Sequence, residues 1–486
     1  MPRKFLTTLY VLVSGALILG GAAIVNTGAS SASPRAGAGP VWRDCPEHPA
    51  DPRVRCASLT LPVDWARPDG PTFELALAKR SAANPADRIG TLMFHPGGPG
   101  RSGVDAVFDE RYFNPEVLRR FDVVGFDPRG VGRSNPVLCS ADLLARRPHP
   151  VPATRAAYDS LVSYNRALYE DCRKHTGPLA GHLDSVSVAH DVDAVRAALG
   201  EETISFYGVS YGTLTGQAYA ENYPHRVRAM VLDSPMDHSQ SARSFFVTHA
   251  AAAEDLFQQF ASWCGRTTTC ALHGRDVPAL FASLSDRADR GDLGSYTRYG
   301  LTTEFQFTSW LPAAWPGLAE RLAALDSGPA PAPGRAATTA EVRPLPDLAF
   351  CQDWNLGIRG FADFSRLIER AEGVAPHLRV GAAGAESFSF CVGHPGKVGN
   401  PQHRLDAALR RPALVVAAQH DPATPRHWAA TVTEQIGHAR LFTYQGWGHG
   451  VYRQHLPCPN GVVDRYLIEG RLPARGATCA AVDPRP

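Results

Sequence analysis

Gly208-Val209-Ser210-Tyr211-Gly212 follows the apolar run Thr203–Tyr207 and opens a helix-compatible segment, Thr213–Tyr223. Strand, sharp turn bearing Ser, then helix is the context of a nucleophile elbow. Holding the hydroxyl clear of a sheet strains the turn, so its flanking positions need residues without Cβ. The helix N-terminus behind the hydroxyl favours negative charge developing there. In a chain with 44 glycines the pentapeptide alone arises readily by chance. Its strand and helix context is what gives it weight.

Working outward, short apolar runs bounded by turn signals recur at Thr91–Phe94, Phe121–Phe126, Ala229–Leu232, Ala413–Ala417 and Leu441–Tyr444. Strands buried on both faces read this way, and several of the runs precede helical patterns such as Ala189–Leu199. The expected class is therefore α/β with a mostly parallel sheet. Ahead of it, Leu59–Val63 and Phe73–Ala78 flank Pro68-Asp69-Gly70-Pro71, which reads as an edge hairpin. The spacing breaks once, between about Met236 and Pro401. Helical periodicity around Ala250–Trp263, the tryptophans Trp263, Trp310, Trp315 and Trp354, and a Pro/Ala/Gly loop at Ser327–Pro346 suggest an inserted helical cap there. The expected organisation is a core segment over 41–240, a cap over 241–400 and a second core segment over 401–486.

A serine hydroxyl is a weak nucleophile and needs a base held by a third group. Asp421 lies just past an apolar run, in Gln419-His420-Asp421-Pro422-Ala423-Thr424-Pro425. That places it at the carboxyl end of an expected strand, where sites gather in open α/β sheets. His449 follows in Gly446-Trp447-Gly448-His449-Gly450, again after a strand. Ser, acid, His is the α/β-hydrolase chain order. Asp421 by itself could simply open a turn before Pro422. His420 is a competing base, but neighbours at one strand end point in different directions, which favours His449. Acyl transfer also needs donors for the oxyanion. The loop His95-Pro96-Gly97-Gly98-Pro99-Gly100 follows Thr91–Phe94 directly, making the N–H groups of Gly98 and Tyr211 the expected pair. The loop lacks both the P-loop ending and GxGxxG spacing, so nucleotide binding is not expected.

The 486 residues are 44% hydrophobic and 20% charged, which excludes wholesale disorder and coiled coil. A formal charge of +2 without long runs of one sign lacks the electrostatic footprint of nucleic-acid binding. Arg3 and Lys4 precede an apolar run, Phe5–Val25, followed by small residues at Ala29–Ser33. That order reads as a secretory signal over residues 1–33. An uncleaved, outward-facing membrane anchor is the alternative, because the run approaches the roughly 20 residues that span a bilayer. With the signal cleaved, no stable membrane partner is expected. All ten cysteines lie beyond this segment, and no CxxC pair occurs among them. Structural disulfides in an oxidising compartment are favoured over zinc or thioredoxin-like chemistry. Connectivity does not follow from sequence. Pairing sequential neighbours closes short loops and is preferred: Cys45–Cys56, Cys139–Cys172, Cys264–Cys270, Cys351–Cys391 and Cys458–Cys479.

With these pieces in place the chain resembles the secreted actinobacterial tripeptidyl aminopeptidases and their proline-iminopeptidase relatives. The matching segments are His95–Gly100, Asp127-Pro128-Arg129-Gly130-Val131-Gly132-Arg133-Ser134, Tyr207–Thr213, Asp421–Pro425 and Gly448-His449-Gly450. The resemblance spans about Trp42 to Cys479 and implies the α/β-hydrolase fold with a TAP-like C-terminal region. It implies Ser210 as nucleophile, Asp421 as acid and His449 as base, the assignment reached from the residues alone. Asp127 and Arg129 look structural in that family, and Arg cannot serve as a base. Two departures bear on substrate preference: Arg101 stands where the family usually has another glycine, and His394 where it tends to have Trp.

The expectation is an exported serine exopeptidase acting on peptide substrates, with no metal or organic cofactor. A carboxylesterase or lipase of the same fold is the first alternative. A silent binding protein is the second, and would predict loss of a triad member. An exopeptidase that rejects blocked peptides needs a carboxylate for the substrate's amine. Asp353, in Phe350-Cys351-Gln352-Asp353-Trp354, is the candidate amine anchor, with Glu221 a weaker one; a structural hydrogen bond is the competing role for both.

Overall fold

The computed structural model describes residues 39–48, 51–328 and 340–484. The expected signal, 1–33, and most of the Pro/Ala/Gly loop lie outside them. Twelve strands occur among the described residues: β1 (Arg43–Asp44), β2 (Val54–Pro62), β3 (Thr72–Arg80), β4 (Gly90–His95), β5 (Phe121–Phe126), β6 (Leu138–Ser140), β7 (Ile204–Val209), β8 (Val227–Asp233), β9 (Val342–Pro344), β10 (Ala413–His420), β11 (Ala439–Trp447) and β12 (Thr478–Cys479). Ten of them form one sheet in the order β1-β2-β3-β5-β4-β7-β8-β10-β11-β12. Pairing from β5 through to β12 is parallel, while β2 pairs antiparallel with β1 and β3, and β3 with β5.

The apolar runs become strands because both faces of the sheet are covered. Successive side chains point to opposite faces. Met93, Phe206 and Leu232 enter one core with Val188, Val192, Leu214 and Ala218 from the helices Ser185–Ala198 and Gly212–Asn222. Leu92, Phe94, Tyr207, Val231 and Val416 enter the other, against Val104, Val107, Val463 and Tyr466. At about 1.5–3 kcal/mol per fully buried large apolar side chain, the two faces hold the sheet far more strongly than its edges are held. β2 and β3 pair from Val54↔Arg80 to Pro62↔Thr72, the edge hairpin read from sequence.

Between β8 and β10 lie the helices Ala242–Arg266, Val277–Asp289, Arg298–Ser309, Trp315–Ser327, Phe361–Val374 and Ala382–Cys391. Phe257, Phe260, Trp263, Phe281, Phe305 and Trp315 give this insertion a core of its own. The cysteines pair as the sequential neighbours anticipated: Cys45–Cys56, Cys139–Cys172, Cys264–Cys270, Cys351–Cys391 and Cys458–Cys479. The short strands β1, β6, β9 and β12 were not anticipated, since two or three residues carry no readable period. Among the described residues no helix is long and apolar enough to cross a membrane.

Candidate active site

The carboxyl ends of β4, β7, β8, β10 and β11 meet at one place on the sheet. At the end of β7, Ser210 takes φ +55°, a left-handed conformation that a non-glycine residue adopts only when its surroundings enforce it. Its N–H is held by the carbonyl of Asp233 at 3.0 Å. A Cβ on Gly212 would lie 2.5 Å from the His95 carbonyl, so the helix start packs directly on β4. These contacts keep Ser210 partly exposed while Tyr211 beside it is buried.

The Gly-rich loop lies against this elbow. Gly97, at φ +89°, would bring a Cβ within 2.4 Å of the Val209 carbonyl and 3.1 Å of Ser210 Cβ, so only glycine fits. The Gly97 N–H is already spent on His95 Nδ1 at 3.1 Å. Among the described residues, the N–H groups of Gly98 and Tyr211 have no acceptor. Gly98 is exposed, so its donor is open to a ligand. The arrangement can therefore offer two backbone donors beside the Ser210 hydroxyl.

The other half of the site comes from β10 and β11. His449 Nδ1 lies 3.0 and 3.1 Å from the two carboxylate oxygens of Asp421. Asp421 Oδ1 also accepts from the N–H groups of Ala423 and Thr424, both at 2.9 Å. Burial by itself raises the Asp421 carboxyl, yet the His449 ring and the two backbone donors together hold it below the usual carboxylate range. With Nδ1 committed to Asp421, Nε2 is the ring nitrogen left for proton transfer. No hydrogen bond joins Ser210 Oγ to His449 among the described residues; the acid–base half is assembled and the nucleophile–base contact is not. His420, the competing base, instead pairs with Asp255 Oδ2 at 2.7 Å.

Sequence reasoning missed several residues that hold this geometry. The carbonyl of Asp233 fixes Ser210, while its carboxylate accepts from Val451 N at 2.9 Å and Tyr452 N at 3.0 Å, just past His449. Ser234 accepts from Gly450 N at 2.9 Å. One strand end thus ties nucleophile turn and base loop together. The available signal was the polar pair Asp233-Ser234 closing an apolar strand at the end where sites form. Trp310, from the helical insertion, accepts from the His449 N–H at 3.0 Å and packs its ring 5.1 Å from the imidazole. Arg129 pairs with Asp191, both side chains fully buried, and donates to the carbonyls of Pro62, Val63 and His182. That is a structural role, as is that of Asp127, which accepts from Val104 N and Arg133 N.

The two candidate amine anchors do not reach the site with a free carboxylate. Asp353 is fully buried and accepts from Ser185 N, Ser185 Oγ, Asn400 Nδ2 and the Tyr211 hydroxyl. Four donors saturate it, and burial pushes its carboxyl up to about 7. Glu221 is spent on His403 Nε2 and Asp406 N. Both take the structural role that competed with amine binding, because a substrate amine would have to displace existing donors. Among the described residues no group of three or more His, Cys, Asp or Glu side chains is placed to hold a metal ion.

Comparison with known proteins agrees with this geometry. The α/β-hydrolase fold family matches residues 90–456. Serine protease Hip1 of Mycobacterium tuberculosis (strain H37Rv) is 31% identical, with 96% of each chain covered. Tripeptidyl aminopeptidase of Streptomyces lividans is 30% identical over 94% of this chain and 90% of that protein. Carboxylesterase B of M. tuberculosis (strain H37Rv) is 31% identical over 96% of this chain and 97% of its own. An elbow serine, a buried Asp–His pair and whole-length similarity of this kind leave one assignment: the chain belongs to the α/β-hydrolase family, as a serine hydrolase of the tripeptidyl-aminopeptidase-like kind.

Proposed function

We propose that the protein is an exported serine exopeptidase releasing short N-terminal units from peptides. His449 Nε2 takes the Ser210 proton, the hydroxyl attacks the acyl carbon, and the N–H groups of Gly98 and Tyr211 receive the oxyanion. His449 then returns the proton to the leaving amine, and water releases the acyl-enzyme. Asp421 orients the ring and stabilises its cationic form. The observation that carries the exopeptidase reading is Trp310 seated on His449. A helical insertion covering the base at this point admits chain ends and short peptides more readily than folded protein. Five disulfides support an oxidising compartment, in keeping with export.

The carboxylesterase name carried by one relative supports a second reading, hydrolysis of small esters. A side-by-side assay separates the two, using free-amine tripeptidyl chromogenic amides, their N-acylated counterparts and short-chain esters. The exopeptidase reading expects cleavage of the free-amine amides above all. Preference for esters, or equal cleavage of blocked and free amides, would overturn it.

A further inference from the structure

Beside the triad lies a group of donors that the acyl-transfer steps do not use. Arg453 stands just past His449 and donates Nε to the His449 carbonyl at 2.8 Å. That uses one of the five N–H donors of a guanidinium. The side chain is half-buried, and no carboxylate lies within ion-pair distance among the described residues. Arg101, on the loop that carries Gly98, is anchored by its own N–H to the Gly97 carbonyl at 3.3 Å, and its exposed guanidinium is likewise unpaired. The segments outside the described residues contain no Asp or Glu that could serve either of them. Beside the Arg101 loop stands Tyr112, its ring 4.4 Å from Phe94 at the end of β4 and its hydroxyl without a hydrogen-bond partner among the described residues.

The two loops both border the Ser210 turn: the Arg101 loop packs Gly97 against Ser210, and the Arg453 loop hangs on Asp233 and Ser234, the strand end that also holds the Ser210 N–H. Burial first, and the neighbouring Arg101 cation after it, pull the Arg453 guanidinium below its ordinary value, while Tyr112, Asp233 and Asp421 act the other way. The two carboxylates are already committed. Asp233 is taken by Tyr207, Val451 and Tyr452, and Asp421 by His449, Ala423 and Thr424. A half-buried guanidinium beside a second cation, with no anion in contact, is costly to keep unless a ligand completes it. Its planar fork matches a carboxylate.

We propose that Arg101, Arg453 and Tyr112 form a subsite for a carboxylate on the leaving part of the substrate. The side is set by His449, which hands its proton to the leaving group while its own carbonyl holds Arg453. On the exopeptidase reading, on which this inference rests for the identity of the leaving group, the carboxylate is the C-terminus of a short peptide or an Asp or Glu side chain near the cleaved bond.

The test compares kcat/KM for peptides sharing one acyl segment. One arm sets a free C-terminus against the C-terminal amide; the other sets Asp against Asn in the leaving part of amidated peptides. The free carboxylate is expected to win by about tenfold in at least one arm, which also names its source. Arg101→Gln should cut that ratio about threefold, Arg453→Gln should bring it close to one, and Arg101→Lys should fall between wild type and Arg101→Gln. Absence of any preference in wild type would overturn the subsite. So would an Arg453→Gln variant in which both substrates of a pair fall equally, because that is what mere distortion of the His449 loop produces. If no peptide is cut, the peptidase reading fails separately. Aryl esters releasing 4-hydroxybenzoate or 4-hydroxybenzamide then read the same ratio, with the same outcomes for and against.

Discussion

The phenol of Tyr211 donates to the Oδ2 of Asp353, so the residue whose backbone N–H faces the Ser210 site is braced from below by a buried carboxylate. The same carboxylate gathers Ser185 at the start of the helix Ser185–Ala198 and Asn400 ahead of β10. Asp353 therefore acts on chemistry only through Tyr211. Asp353→Asn puts an amide donor where four donors already converge, at about 1–3 kcal/mol. Thermal unfolding should move down accordingly, and turnover should fall with free-amine and N-acetylated substrates alike. Tyr211→Phe removes one donor and leaves the rest, so its cost is expected near 1 kcal/mol. A rise in KM confined to free-amine substrates of Asp353→Asn would restore the amine-anchor role.

The triad makes a sharper demand. Ser210→Ala should lose activity by on the order of 10⁴-fold or more and should not be labelled by an organophosphonate. Asp421→Asn should also lose most turnover, because His449 Nδ1 then loses the carboxylate that fixes its tautomer. Combining the substitutions should add little, since the three groups act as one unit. Losses that multiply independently, or full labelling of Ser210→Ala, would contradict the assignment.

Arg129 offers a test of stability. Arg129→Met leaves Asp191 fully buried without its partner, and breaking such a pair costs about 3–5 kcal/mol. Arg129→Met combined with Asp191→Leu should recover much of the loss. Denaturant unfolding decides it: a single variant within 1 kcal/mol of wild type, on that ~3–5 kcal/mol scale, would show the pair to be dispensable.

Acid should weaken the Gly-rich loop through His95. Burial holds this imidazole down at about 4, against an ordinary value of 6.5. Its neutral Nδ1 accepts the Gly97 N–H, which a protonated ring cannot do. Because the folded value is depressed, the unfolded chain takes up the proton first. The contribution is fully present above pH 6.5 and is lost as pH falls toward about 4. His95→Gln keeps an acceptor and removes the titration. Its melting temperature should therefore fall less than that of wild type over this window. Parallel decline would locate the acid sensitivity elsewhere.

The eight longer strands, their mostly parallel pairing and the candidacy of Ser210, Asp421 and His449 at strand ends were legible in the sequence because each rests on local chemistry. Both-face burial writes itself as a continuous apolar run, and a strained turn writes itself as flanking glycines. Neighbour pairing of the cysteines was only the preferred choice, since short loops close at low entropic cost, and it was the fold that selected it. What the tertiary structure alone decided was where each side chain spends its hydrogen bonds. Asp353 reads in sequence as a carboxylate beside an aromatic; folding delivers Ser185, Tyr211 and Asn400 to it from distant segments and leaves nothing for a substrate. Asp233 reads as the polar end of a strand, yet it joins the Ser210 turn to the His449 loop across more than two hundred residues of chain. Arg101 and Arg453 come to border one site only once the loops after β4 and β11 converge on the Ser210 turn. Local patterns record backbone conformation and burial, whereas partnership between polar groups far apart in the chain exists only after the sheet has brought its strand ends together.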